Sequence, residues 1–349
     1  MQEAKRLVIN IVTWNSLAYM PNLFASLATQ DTDAFTVTVV DNASTDGAIR
    51  WLAERAPEVT VLRNFRNQGF SRAHNQAIAL ALSRWPEETW TRRYILVCNP
   101  DIEFDPSCVR RLMDAMESDT ALAACGPKLL RTRVRSQEEG QLETERTNLL
   151  DATGLVVTRS RRVVDRGAGE EDRGQYDRLT DVFGFSGACA LFRASALVAA
   201  KIGGEFFDED FFLYQEDVDL AWRMRRLGMR VRFVPDARAW HHRRAPSLPS
   251  GGILTAWNLR KKKSPFINYL STRNHLWLLM KNEELPNLLF HAHRIIPYEI
   301  AKGFASFVSW AVLKGNCAAL LGIRRMWYKR RACAPEVRVS GRDMRRWFV

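Results

Sequence analysis

The chain has 349 residues, 46% hydrophobic and 26% charged, which suits one large or two smaller globular cores and excludes wholesale disorder. Six cysteines without CxxC spacing argue against a disulfide frame or zinc site and for free thiols in a reducing compartment. The net charge of +12 is uneven: His241 to Val349 holds 20 Lys and Arg against 5 Asp and Glu, or +15, which leaves 31 against 34, or −3, before it.

In chain order, Arg6 to Thr13 is an apolar, β-branched run that predicts a first strand. Met20 to Thr29 predicts a helix with Pro21 in its first turn. Thr36 to Val40 predicts a second strand, closed by the turn and cap formers Asp41-Asn42-Ala43-Ser44-Thr45-Asp46-Gly47. A helix over Ala48 to Arg55, a strand over Val59 to Arg63, a loop at Asn67-Gln68-Gly69-Phe70, a helix over Ser71 to Trp85 and a strand over Tyr94 to Cys98 follow. This alternation predicts an α/β fold with a mostly parallel, doubly wound sheet and a site at the carboxyl ends of the strands. Arg131 to Gly174 reads as a polar, loop-rich excursion. Phe183 to Arg193 reads as a strand whose Ser186-Gly187-Ala188 admits a close approach. A helix over Leu220 to Leu227 stops at Gly228, and Val231 to Val234 predicts a strand. Beyond Gly252 the pattern turns to helices, with a soft boundary near residue 255. The expected division is 1–254, split into a nucleotide-binding half (1–105) and an acceptor and catalytic half (106–254), followed by a basic helical region, 255–349.

Chemistry is expected where acids meet apolar bulk. Glu216, Asp217 and Asp219 follow the aromatic run Phe211-Phe212-Leu213-Tyr214, with Asp208-Glu209-Asp210 just before it. Asp101, at the end of the fourth strand, suits a divalent ion held against a diphosphate; read as ordinary structure, Asn99-Pro100-Asp101 is a turn. Asp41 suits a nucleotide base or ribose; its ordinary role would be a helix cap. Neither GxGxxG nor GxxxxGK[ST] occurs, which counts against dinucleotide and P-loop enzymes.

Together the motifs resemble a family 2 glycosyltransferase of the inverting GT-A class, in the bacterial rhamnosyltransferase-like branch. The likeness runs from Leu7 to Ser247 and rests on Val12-Thr13-Trp14-Asn15, the 40–47 segment, Asn67-Gln68-Gly69-Phe70 with Asn75, Asn99-Pro100-Asp101, Gly184-Phe185-Ser186-Gly187-Ala188, and Phe211 to Leu220 with Arg223. It implies that Thr13, Trp14 and Asn15 border the base, that Asp41 bonds it, and that Asn67, Gly69 and Asn75 shape the nucleotide pocket, with Arg72 a phosphate contact. It implies Asp101 as the last acid of a DxD-type motif whose first acid is here Asn99, so a histidine must help; His241 is favoured over His242. Mg²⁺ or Mn²⁺ is the implied cofactor. Asp217 matches the catalytic base, with Glu216 its companion; Asp219 reads as a helix-start charge and Asp208 to Asp210 as acceptor-side lining. Asp151, Asp165 and Asp172 fall in a segment of unassigned role, Arg243 and Arg244 are within reach of a diphosphate, and Arg223 should pair with an acid.

The implied partners are a nucleotide-sugar donor, dTDP-L-rhamnose first and a UDP-hexose or UDP-N-acetylhexosamine second, and a glycan or lipid-linked acceptor. A sugar nucleotidyltransferase would need a Gly-rich basic N-terminal loop, which Val8 to Leu17 lacks, and a non-catalytic scaffold would not be expected to keep Asp101 and Asp217. The C-terminal region mixes Phe304, Phe307, Trp310 and Trp327 with the run Arg260-Lys261-Lys262-Lys263 and with Lys302, Lys314, Arg324 and Arg325. That pattern suits either an anionic membrane surface or helices packed on the catalytic domain or in a homo-oligomer. No nucleic-acid module is visible. With no signal-peptide core in the first residues and no apolar run of about 18, the expected place is cytoplasmic, peripheral at the inner face of the plasma membrane.

Overall fold

A computed structural model describes residues 5–138, 141–243, 263–333 and 337–349. The expectations for Arg244, for Arg260 to Lys262 and for the boundary near residue 255 lie outside the described residues.

The strands are β1 (Leu7–Thr13), β2 (Phe35–Asp41), β3 (Thr60–Arg63), β4 (Tyr94–Cys98), β5 (Ile102–Phe104), β6 (Leu122–Glu138), β7 (Gln141–Ala152), β8 (Leu155–Val157), β9 (Val163–Asp165), β10 (Cys189–Arg193) and β11 (Arg230–His241). The helices are α1 (Met20–Ala28), α2 (Ala48–Arg55), α3 (Gly69–Ser83), α4 (Cys108–Ser118), α5 (Ala194–Ala199), α6 (Glu216–Arg226), α7 (Pro265–Asn282), α8 (Leu285–Phe290), α9 (Ala292–Phe304), α10 (Trp310–Leu321), α11 (Ile323–Cys333) and α12 (Gly341–Met344). The main sheet runs β3-β2-β1-β4-β10-β6-β11-β5, with β7 paired to β6. Strands β3, β2, β1 and β4 are mutually parallel, while β10 runs antiparallel between β4 and β6.

Alternation along each strand sorts side chains between two layers. Leu7, Ile9 and Ile11 of β1 face α1, α2 and α4 in one core, whereas Val8 joins Ile95, Val97 and the apolar face of α3 in the other. Helices thus cover both faces, as doubly wound sheets require. The parallel strands put Thr13, Asp41 and the segment after Cys98 along one edge of the sheet.

Three local expectations are corrected. Residues 131–174 are chiefly sheet, because β6 and β7 form a long antiparallel arm whose cross-strand partners are charged, as in Arg135–Glu145 at 3.2 Å. The strand expected from Phe183 begins only at Cys189, and the strand expected at 231–234 extends to His241. The close approach at Ser186-Gly187-Ala188 is real: a Cβ on Gly187 would lie 2.4 Å from the Phe70 ring.

A third core joins the C-terminal helices to α6. Trp277 and Leu278 of α7, Ala319 of α10 and Met326 of α11 pack with Trp222, Phe183 and Phe348. Beneath it lies a buried ionic web. Lys281 of α7 reaches Asp208 at 2.7 Å and Asp219 at 2.8 Å, and Arg223 pairs with Asp219 at 2.9 Å, as expected of Arg223. Lys329 reaches Asp208 and Asp210, and Arg325 also pairs with Asp210. Asp219 stands in the first turn of α6, as expected, and is in addition a fully buried ionic partner. One further expectation is corrected: Asp208 and Asp210 anchor helices rather than line an acceptor site.

Candidate active site

One cavity of about 470 Å³ opens at the carboxyl edge of the sheet and is lined by Asn99, Asp101, Glu216, Asp217 and His241. Asp217 enters it from the first turn of α6, after a tight turn in which Phe212, Tyr214 and Gln215 have φ of 65°, 72° and 75°. Left-handed backbone at such residues costs of order 1–3 kcal/mol each and persists only when neighbours fix it. Asn274 Nδ2 of α7 does so, donating to the carbonyls of Phe211, Leu213 and Tyr214 at 2.8, 2.9 and 2.8 Å. Arg273 donates to the carbonyls of Asp210 and Phe211, and Phe70 N–H to that of Phe212 at 2.7 Å. Asn274 is a site-building residue that local sequence reasoning missed, because it lies some sixty positions from the turn it holds.

The Asp217 carboxylate accepts from Gly187 N–H at 2.9 Å and from Val218 N–H at 2.8 Å. Burial raises its pKa above the ordinary range while those two donors oppose the rise. Glu216 is more deeply buried, and its Oε2 accepts no hydrogen bond. Burial first, then the neighbouring Asp217, lift Glu216 well above the usual carboxylate range. The pair thus divides: Glu216 is raised further, whereas Asp217 has the two N–H donors that favour its ionised form.

At the other acid cluster, β5 pairs antiparallel with β11 and places His241 opposite Ile102, beside Asp101. His241 Nε2 lies 3.3 Å from Asp101 Oδ1, a buried oxygen that accepts no well-aligned hydrogen bond. His241 Nδ1 meets Asp151 Oδ2 of β7 at 2.8 Å. A carboxylate behind an imidazole fixes its tautomer and aims the far nitrogen, the arrangement typical of metal-binding histidines. Burial lowers the His241 pKa, but Asp101 and Asp151 outweigh it and hold it at about 10. With that proton displaced, His241 Nε2 and the Asp101 oxygen would fit a divalent ion such as Mn²⁺ or Mg²⁺. Among the described residues no group of three or more such ligands forms a closed cage. The adjacent His242 points to the other side of the strand and bonds Glu103 at 2.8 Å. Arg243 is engaged by Asp151 at 3.0 Å and Asp165 at 2.6 Å. Asp172 pairs with buried Lys128.

The nucleotide-side residues sit next along the strand ends. Asp41 Oδ1 accepts from Ser44 N–H at 3.0 Å, but its Oδ2 and the hydroxyl of Thr13 are buried without partners. Unpaired buried polar atoms at a strand end are what a ligand would satisfy. Asn15, with φ of 49°, ties the two turns together through Ser44 and Thr45, and Trp14 is exposed beside it. Asn67 caps Gly69 N–H at 2.8 Å, and Gly69 has φ of 78° where a Cβ would strike the Phe212 carbonyl. Two candidates point elsewhere: Asn75 bonds Phe207 and Glu209, and half-exposed Arg72 lies 3.7 Å from Glu209.

A doubly wound sheet with a buried carboxylate pair, an acid–imidazole pair and unsatisfied polar atoms at its strand ends is the layout of a glycosyltransferase of the GT-A kind. The family model for glycosyl transferase family 2 matches residues 8–199, and the chain belongs to that family. It is 29% identical over 252 residues to N-acetylglucosaminyl-diphospho-decaprenol L-rhamnosyltransferase of Mycobacterium tuberculosis, across 66% of this chain and 74% of that protein. It is 24% identical over 225 residues to the low-salt glycan biosynthesis hexosyltransferase Agl10 of Haloferax volcanii, across 64% of this chain and 63% of that one. Among solved structures, GalNAc-T7 with UDP, GalNAc and Mn²⁺ superposes with a TM-score of 0.55 at 12% identity, over 80% of this chain and 48% of that one, a likeness of fold.

Proposed function

We propose that this glycosyltransferase moves L-rhamnose from dTDP-L-rhamnose to a hydroxyl of a lipid-linked or cell-surface glycan in a single inverting displacement. The observation that carries the chemistry is the sharing of one cavity by Asp217 and the Asp101–His241 pair. Asp217 accepts the acceptor hydroxyl proton as its oxygen bonds the anomeric carbon, and the bond to the diphosphate oxygen breaks with its electron pair. Asp101 and His241 would hold Mn²⁺ or Mg²⁺, which when bound neutralises charge on the departing diphosphate. Asp151 keeps His241 aimed, while Asp41, Thr13, Asn15 and Trp14 receive the base, with Asn67 and Gly69 shaping the loop beside it and Asn99 lining the cavity. The named activity of the mycobacterial relative supports the rhamnose donor; the hexosyltransferase likeness makes a UDP-hexose the second reading.

A thermal-shift screen of nucleotide sugars with Mn²⁺ tests this, with the largest stabilisation expected from dTDP-L-rhamnose and its metal-dependent part lost in Asp101→Asn. A larger shift with a UDP-hexose would favour the second donor, and no shift with any nucleotide sugar would defeat the reading.

The same proposal rests the C-terminal helices on an anionic membrane. Of the 21 large apolar side chains exposed among the described residues, 15 lie between Leu285 and Tyr328, interleaved with Lys302, Lys314, Arg324 and Arg325. Charge complementarity selects anionic lipid over a second copy of so basic a surface. Among the described residues no helix is long and apolar enough to cross a membrane, so contact would be interfacial. The protein should sediment with phosphatidylglycerol vesicles, and Phe307→Asp with Trp310→Asp should release it. A stable dimer that buries these residues and ignores vesicles would replace the membrane.

A further inference from the structure

Phe70 closes the Asn67-Gln68-Gly69-Phe70 segment and is the second residue of α3. It lines the same cavity as Asp217. A phenyl ring can neither take a proton nor bind a metal, so whatever it contributes there passes through the groups it touches.

Those groups are the ones that hold Asp217. The Phe70 N–H donates to the Phe212 carbonyl at 2.7 Å, within the turn that delivers Asp217. The tip of the ring fills the space beside Gly187: a Cβ on Gly187 would lie 2.4 Å from Phe70 Cζ, 3.0 Å from Cε2 and 3.2 Å from Cε1. Gly187 in turn donates its N–H to Asp217 Oδ2 at 2.9 Å. The ring therefore limits how closely the Gly187 segment approaches α3, and with it where that N–H stands.

The ring is itself braced. His74, one turn further along α3, packs against it with centroids 4.2 Å apart, and Phe207 meets it edge-on at 5.4 Å. Burial lowers the His74 pKa to about 3, and neither ring nitrogen has a hydrogen-bond partner, so His74 serves here as a neutral ring. On the nucleotide side, Asn42, the neighbour of Asp41, donates its Nδ2–H to the Gly69 carbonyl at 3.0 Å. Contacts thus run without a break from the residue beside Asp41 through Gly69 and Phe70 to Gly187 and Asp217.

We infer that Phe70 is a positioning residue for the transfer step: its ring, braced by His74 and Phe207, keeps the Gly187 N–H on the Asp217 carboxylate and so aims that carboxylate at the acceptor hydroxyl. The inference rests on the reading of Asp217 as the base and adds to it the residue that places it. It also accounts for glycine at 187, where any side chain would displace the ring.

The test measures sugar transfer by the full chain. Phe70→Leu removes the tip of the ring, and Phe70→Tyr adds an oxygen at the atom nearest Gly187. Each should lower kcat about tenfold to a hundredfold, the usual result of a misplaced catalytic group, while nucleoside diphosphate still binds with Mn²⁺, which checks folding. If Phe70→Leu fails to fold, Phe70→Tyr carries the same prediction. The Gly187 N–H favours ionised Asp217, so its loss should move the acid limb of kcat to higher pH, with the neighbouring carboxylates Glu216 and Asp165 unaltered. An acid limb that stays in place would make the ring mere packing and overturn the inference. Gly187→Ala should lose activity alone and recover about tenfold when combined with Phe70→Leu, which vacates the space for the methyl; additive losses would overturn the contact. In an Asp217→Asn background, Phe70→Leu should cause no further loss of kcat; a second full loss would show that the ring acts elsewhere. If Asp217→Asn is impaired and the Phe70 variants are not, the positioning role fails and the base assignment stands. Undiminished transfer by Asp217→Asn would defeat the base assignment and the positioning role with it.

Discussion

The sheet and the C-terminal helices are built on opposite plans. The sheet hides its apolar side chains in two layers and brings acids to its edge. The C-terminal helices bury polar groups and show apolar ones: Asn274, Lys281 and Asn282 are at most 1% exposed, while Phe307 is 84% and Leu321 88% exposed. In water, helices turn their apolar stripe inward. Here the inward face of α7 carries polar groups beside its core residues Leu270, Trp277 and Leu278, and those polar groups hold the turn before Asp217 and pair with Asp208 and Asp219. Asp217 lies on the helix that joins the two halves, in the first turn of α6.

The sharpest way to break this division is Asp217→Asn. Turnover should fall by about 10²–10⁴, the usual worth of a general base, while nucleotide binding holds. Undiminished transfer would remove the base from the sheet half. Because burial raises the Asp217 pKa, the acid limb of turnover in the unaltered enzyme should lie above the pH at which an ordinary aspartate titrates. A limb at an ordinary aspartate value would contradict the burial.

Lys281→Met should follow. It leaves Asp208 and Asp219 with fewer counter-charges in the interior, and breaking one partner of such a group costs about 3–5 kcal/mol. Denaturant unfolding that moved by only a few tenths would show that the two halves are merely adjacent. Asn274→Ala should cost about 2–3 kcal/mol, from roughly 1 kcal/mol per lost hydrogen bond, and lower kcat about tenfold with little change in donor affinity. A loss of stability without a loss of kcat would make the turn a structural detail.

The smallest expected effect is at Glu216. Its folded pKa is raised, so the folded state holds the proton more tightly than the unfolded chain does. Stability from this group is present at low pH and declines as pH rises from about 4.5 toward the raised value. Glu216→Gln should flatten that decline; an unchanged pH dependence of unfolding would show that Glu216 is ionised.

The first four strands and three helices were legible because each carries its own period: continuous apolar runs for buried parallel strands and a spaced stripe for α3. The β6–β7 arm was not, since its outer residues are arginines, glutamates and serines that support one another only across the strands. Asp101, Asp217 and His241 were singled out through a family likeness and line one cavity, and the pairing of β5 with β11 gives the physical reason that residues 101 and 241 meet. Asp151 stood in an apparent loop until the pairing of β6 with β7 and β11 carried it behind His241. Asp208 was misread, and the ion pairs of Asp219 were missed, for the same reason: their partners, Lys281 and Lys329, come from helices that no local pattern ties to them.

Lys281 also bears on how this enzyme can be re-engineered. A chimera joined after β11, with the C-terminal helices of a different transferase grafted on, would inherit acids whose counter-ions stayed behind. Exchanging the C-terminal helices therefore requires α7 and α11 to travel with the sheet, and the exchangeable part shrinks to the outward surfaces of α8, α9 and α10.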